Sequence, residues 1–134
     1  MRLVELYNKI KLLNTDKIVL IKSGSFYRTY GYDAIILCKI FGYNINNNMV
    51  GFPVFNCGRN VNILNNLGMG VILINGDDIV NYEIVSNNYD KYLDDAIKRD
   101  LVNKKIENIN IKVSQKIRDD INNYYKIGEF LNSI

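Results

Sequence analysis

Histidine and tryptophan are absent from this 134-residue sequence, proline occurs once and cysteine twice. Without histidine there is no imidazole general base, no Ser-His-Asp arrangement and no histidine metal ligand. Cys38 lies in an apolar helical stretch and Cys57 in a loop, so no zinc-ligand spacing exists, and each reads as a small core hydrophobe rather than half of a disulfide. Long apolar runs are missing too. Ile35-Ile36-Leu37-Cys38 and Val71-Ile72-Leu73-Ile74 fall far short of the ~20 residues a membrane span needs. The opening MRLVELYNKIKLL is interrupted by Glu5, Lys9 and Lys11, unlike the apolar region of a secretory signal, and a cytoplasmic address is expected.

Neither a phosphate loop nor a convincing carboxylate site takes the place of these missing groups. Gly68-Met69-Gly70 lacks the Lys-Ser/Thr of a P-loop and precedes an apolar strand instead of a helix, so it reads as a helix stop. Adjacent residues on a helix point about 100° apart, which makes Asp94-Asp95 and Asp119-Asp120 poor chelates and better solvated faces. Asp77-Asp78 follows a strand end, but Asn75-Gly76-Asp77 is more simply a turn. No enzyme, metal or cofactor is expected. Asparagine is abundant, as in Asn46-Asn47-Asn48, and carries no mechanistic reading by itself.

What is present is the composition of a folded chain: 48% hydrophobic and 23% charged residues, enough for one sizeable core. The net charge of +3 is unevenly spread. Residues 1–77 hold eight Lys/Arg against four Asp/Glu, and residues 78–134 nine against ten. The positive surplus therefore belongs to the first part, where a polyanion would dock.

Leu3, Leu6, Ile10 and Leu13 recur at helical spacing, predicting a helix over 2–13. Ile18 to Ile21 is a β-branched apolar run that reads as a strand continuing toward Ser25 and Phe26, with Gly24 marking a bulge or a close backbone approach. A helix over 32–41 is closed by Gly42, a strand follows at 49–55 with Pro53 confining it to an edge or to its end, and a short helix at 58–67 stops at Gly68. Val71 to Ile74 forms a buried strand, and 79–85 is a further strand candidate. The order predicts an α/β fold, a small mixed or partly parallel sheet flanked by helices. Apolar residues at three- and four-residue intervals then predict two C-terminal amphipathic helices, about 90–108 and 113–132. The expected division is an α/β domain over 1–86 and a helical extension over 87–134 that packs on the domain, on a second copy or on a partner.

The stretch KSGSFYRTYGYDA, residues 22–34, sets an aromatic pair between Lys22 and Arg28. An apolar wedge beside phosphate-binding cations is what unstacking or stacking on bases requires. The plainer alternative places Phe26 and Tyr27 on opposite faces of a sheet as core residues.

Order and spacing over roughly the first 75 residues resemble the N-terminal mismatch-recognition domain of the MutS mismatch-repair proteins. In that family a strand ends in Gly-Asp-Phe-Tyr-Glu, and a helix begins around an Asp-Ala segment. Here the sequence has Gly24-Ser25-Phe26-Tyr27-Arg28, then Tyr32-Asp33-Ala34. Gly51-Phe52-Pro53-Val54 resembles the family's Gly-Ile-Pro-Tyr strand, and Asn60 to Leu67, Gly68 and Val71 to Ile74 match its next helix and strand. The resemblance implies a mixed α/β domain that contacts DNA, with Phe26 as the stacking residue. Lys22, Arg28 and Arg59 are then the expected phosphate contacts. The family's base-bonding Glu is Arg28 here, and the acid before the Phe is Ser25; one subunit of the eukaryotic heterodimers also lacks the Phe-x-Glu pair and does not read the mismatch, and Gly31-Tyr32-Asp33-Ala34 resembles that version. No room remains in 134 residues for the family's ATPase, and residues 78–134 have no recognised counterpart in the domain. The expected function is a non-enzymatic nucleic-acid-binding module, an accessory factor in DNA repair, replication or reverse transcription, working without ATP. The alternative is a protein-interaction adaptor, or a homodimer, acting through the 90–132 helices.

Overall fold

A computed structural model describes residues 2–84 and 87–119, with side chains in the last helix described as far as Ile106. The chain divides into two compact units, Met1–Ile97 and Lys98–Ile134. The first holds a five-stranded sheet of order β3-β2-β1-β4-β5. Its strands are β1 (Lys17–Ser23), β2 (Phe26–Tyr30), β3 (Met49–Pro53), β4 (Gly70–Asn75) and β5 (Asp78–Tyr82). β1 and β4 are parallel and the other pairs antiparallel, so the sheet is mixed, as expected.

Sequence explains which strands are central. Ile18 to Ile21 in β1 and Val71 to Ile74 in β4 are apolar without alternation, because both of their faces are covered. Helix α1 (Leu3–Leu13) lays Leu3, Leu6, Tyr7 and Ile10 against Val19, Ile21, Ile72 and Ile74 on one face. Helices α2 (Gly31–Phe41) and α3 (Cys57–Asn66) cover Ile18, Leu20, Phe52, Val71 and Leu73 on the other. Tyr89 and Ala96, from the start of α4 (Tyr89–Asp119), complete that second core.

Two expectations are corrected. The chain does not run as one strand from Ile18 into Phe26. It reverses at Gly24-Ser25, so that Ser23 pairs with Phe26 in a hairpin. Gly24 has φ +59°, and a glycine with positive φ at the first loop position matches the twist of flanking strands. Nor is there a break between helices at 109–112. α4 continues for 31 residues, and no Gly or Pro lies between Tyr89 and Asp119 to end it. The part of the expected second helix beyond Asp119 lies outside the described residues.

Smaller differences have local causes. The strand predicted over 49–55 stops at Pro53, which lacks the N–H to continue the ladder, and Val54–Asn56 turns into a short 3-10 segment. β3 is an edge strand, as Pro53 requires. The asparagine run does have a role: Asn47 and Asn48 take φ 51° and 63° in the two-residue loop between paired Asn46 and Met49. Asn tolerates that left-handed conformation better than most residues.

One polar cluster is buried where α1, α2 and α4 meet β1. Asp33 is fully buried and accepts from Tyr7 Oη at 2.6 Å, Tyr89 Oη at 2.6 Å, Lys11 Nζ at 3.0 Å and the Val19 amide at 3.2 Å. Burial, reinforced by the Asp33 charge, pushes the Tyr7 and Tyr89 phenols well above the usual tyrosine range. Burial lowers Lys11 against the opposing pull of Asp33. A raised tyrosine holds its proton in the folded chain after the unfolded chain has lost it, so the stability it contributes is present below about pH 10 and lost above it. Lys11 works in the opposite sense, regaining stability as pH rises toward its ordinary value. Above that value both chains have a neutral Lys11 and only the tyrosine term is left. Stability is therefore expected to fall above about pH 10.5, by about 1.4 kcal/mol per pH unit for each tyrosine. Thermal melts across this range, repeated on Tyr7→Phe, check it: the variant should fall less steeply, and parallel curves would disprove the assignment.

Candidate nucleic-acid interface

The hairpin resolves the Phe26-Tyr27 pair by strand parity. Phe26 sits at the first position of β2, between Ser23 on β1 and Pro53 on β3, and 45% of its surface is exposed. Tyr27 points to the opposite face, is buried, and stacks on Phe52 with ring centroids 6.1 Å apart. One aromatic is thus presented and the other packed.

Arg28 shares the face of Phe26, two residues along β2 and opposite Gly51. A Cβ at position 51 would meet Arg28 Cγ at 3.7 Å, so the aliphatic stem of Arg28 lies over the glycine backbone. Lys22 pairs with Tyr27 and therefore belongs to the other face, the side covered by α2 and α3. Arg59 is exposed in the first turn of α3, on that same side of the sheet. Phe26 and Arg28 are accordingly brought together, whereas Lys22 and Arg59 approach the hairpin end from the opposite side of the sheet. Sequence alone could not reveal this split, because it depends on residues 24–25 being the turn.

The exposed charge of one long segment is all of one sign. From Lys17 to Gly76 the sequence has a single carboxylate, Asp33, and it is buried. Among the described residues Lys22, Arg28 and Arg59 make no ion pair, while Lys11, Lys17 and Lys39 are paired with Asp33, Glu83 and Asp95. The exposed Asp77 and Asp78 belong to the β4–β5 turn, which lies at the same end of the sheet as the β1–β2 turn because β1 and β4 run parallel, with β4 between β1 and β5. Sequence reasoning missed Phe55, which follows Val54 and is 85% exposed. Its signal was available: it stands two residues after the strand-ending Pro53, where no sheet face remains to bury it.

Among the described residues no group of His, Cys, Asp or Glu could hold a metal ion, and no helix is long and apolar enough to cross a membrane. Burial raises the Cys57 thiol, the direction of an inert core cysteine rather than a nucleophile.

A comparison with known families decides the class of the domain. The profile of MutS domain I matches residues 1–109. The chain belongs to the MutS domain I family. That family is a non-catalytic DNA-recognition domain, and the mixed sheet with flanking helices agrees with its fold. The match runs past the first 75 residues that carry the sequence resemblance and takes in β5 and the start of α4, so residues 78–109 are part of the family domain after all. No curated protein matches the chain.

Proposed function

We propose that this MutS domain I protein is a non-enzymatic nucleic-acid-binding module that docks DNA on the hairpin end of its sheet. Phe26 is the stacking wedge, Arg28 beside it is a phosphate contact, and Lys22 and Arg59 hold phosphates from the other side of the rim. The role that fits is an accessory factor in DNA repair, replication or reverse transcription, needing neither ATP nor a metal ion. The observation that carries the reading is the segment from Lys17 to Gly76, whose one carboxylate is buried while Phe26 and Arg59 are exposed, Lys22 and Arg28 are partly exposed, and these three cations make no ion pair among the described residues. A polyanion meets no exposed acid along it.

Arg28 in the place of the family's Glu changes the expected character of binding. A carboxylate at that place repels phosphate and requires base contacts to compensate, whereas Arg28 releases a counterion. Binding should be tighter and less discriminating between matched and mismatched duplex. With three phosphate contacts, affinity for duplex DNA should fall about 40-fold between 50 and 200 mM salt. Arg28→Glu should weaken binding about 5- to 10-fold near 0.1 M salt and flatten the salt slope by about one unit. Fluorescence-anisotropy titrations of labelled duplex measure both, and an unchanged affinity for Arg28→Glu would remove Arg28 from the site.

A second reading has its own support. Leu101, Val102 and Ile106 on α4 are each about half exposed, an apolar surface of the kind a protein partner covers. On that reading the protein is an adaptor or homodimer that keeps the fold and has given up DNA. The exposure of Phe26 favours the nucleic-acid reading, since an adaptor working through α4 has no use for an uncovered aromatic on the sheet rim.

A further inference from the structure

Phe55 is the most exposed large apolar side chain among the described residues. Its backbone is held in place: the Val54 amide donates to the Ser25 carbonyl at 2.9 Å, tying the 3-10 turn Val54–Asn56 to the tip of the β1–β2 hairpin. Pro53 pairs with Phe26, and Phe55 is two residues further on, so the two Phe Cα atoms are about 13 Å apart at most. Among the described residues neither ring meets another aromatic, whereas Tyr27, Phe41, Tyr43 and Phe52 are stacked and Tyr7 and Tyr30 meet at a tilt. Arg59 follows four residues later, exposed and, among the described residues, without an ion pair.

We infer that Phe55 is a second base-stacking platform beside Phe26, and that the pair selects unpaired nucleotides, single-stranded or bulged, over continuous duplex. The inference rests on the nucleic-acid reading above and specifies its ligand. Continuous duplex hides its base faces within the stack, so two open rings at one rim find partners only where bases are unpaired. One wedge is enough to kink a duplex, but two adjacent platforms with interleaved cations are the arrangement that tracks a single strand. The charge of the Lys17–Gly76 segment favours this over an apolar protein partner: it holds no exposed acid, Arg59 follows Phe55 by four residues, and the acids at this end of the sheet, Asp77 and Asp78, belong to the β4–β5 turn beyond β1 and β4.

Anisotropy titrations of labelled oligo-dT, bulged duplex and blunt homoduplex against wild type, Phe26→Ala, Phe55→Ala and Phe55→Tyr test it. Wild type should prefer the unpaired ligands. Phe55→Ala should lose at least about fivefold on oligo-dT and the bulge, with homoduplex unchanged, and Phe55→Tyr should retain the preference. If Phe26→Ala weakens binding and Phe55→Ala does not, the inference fails while the nucleic-acid reading stands. If wild type binds none of the three, both fail together. A Phe55→Ala protein that changes its sedimentation but not its nucleic-acid binding would assign Phe55 to a protein contact and overturn the inference.

Discussion

The Asp33→Ala protein is expected to be about 3–5 kcal/mol less stable than wild type, the scale of cost seen when one partner of a buried ion pair is removed. Four donors converge on this carboxylate: two phenols, an ammonium and a backbone amide. Removing it takes the counter-charge from Lys11, whose side chain is mostly enclosed, and leaves two buried hydroxyls with nothing in the acceptor's place. A domain of this size has about 5–15 kcal/mol in total, so the loss is enough to bring unfolding into reach at moderate temperature. Urea denaturation measures it as a large drop in midpoint at nearly constant slope. Lys11→Met in the Asp33→Ala background should recover part of the loss, because it removes the enclosed amine left without its carboxylate. A loss below about 1 kcal/mol would mean that the cluster relaxes without cost and does not bind α1, α2 and α4 to the sheet.

Phe26→Ala is expected to do the reverse, leaving the fold intact and removing binding. Its ring is already 45% exposed, so truncation should change stability by less than about 1 kcal/mol. Stacking an aromatic on a base contributes about 1–3 kcal/mol by alanine substitution, which corresponds to about 5- to 150-fold in affinity. The salt slope should stay the same, since no phosphate contact is lost. That combination separates Phe26 from Arg28, whose reversal must change the slope. Equal affinity for wild type and Phe26→Ala on every ligand would return Phe26 to the role of an idle surface residue.

The two sites occupy opposite ends of β1. Val19, which donates to Asp33, and Ser23, which pairs with Phe26, are four residues apart, or about 13 Å along a strand. Stability and binding should therefore be separable by mutation. The Asp33 cluster was not legible in the sequence beyond an acidic residue near a helix start. Its partners Lys11, Tyr7 and Tyr89 lie 22, 26 and 56 residues away, and only the fold brings them together.

Much of the framework was legible because its signals are local. Three- and four-residue spacing with a following Gly places α2 and α3 to within a residue or two, and unbroken apolar runs identify β1 and β4 as the covered strands. β2 escaped because Phe-Tyr-Arg-Thr-Tyr carries aromatics on both faces, and the partly exposed face mixes Phe26 and Tyr30 with Arg28, which blurs the alternation. The turn that precedes it has no Asn-Gly pair to announce it. Of the site, the residue types were readable but their geometry was not. Lys22 and Arg28 look symmetrical about Phe26 in the sequence, and the two-residue turn puts them on opposite faces.

The most direct test of the docking surface is amide chemical-shift mapping of the isotope-labelled protein with oligo-dT added at low salt. The largest shifts should fall in Lys22–Arg28 and Pro53–Arg59, with the amides around Lys11 and Asp33 unmoved. Shifts concentrated in α4, or no shifts at any ratio of DNA to protein, would contradict docking on the hairpin end.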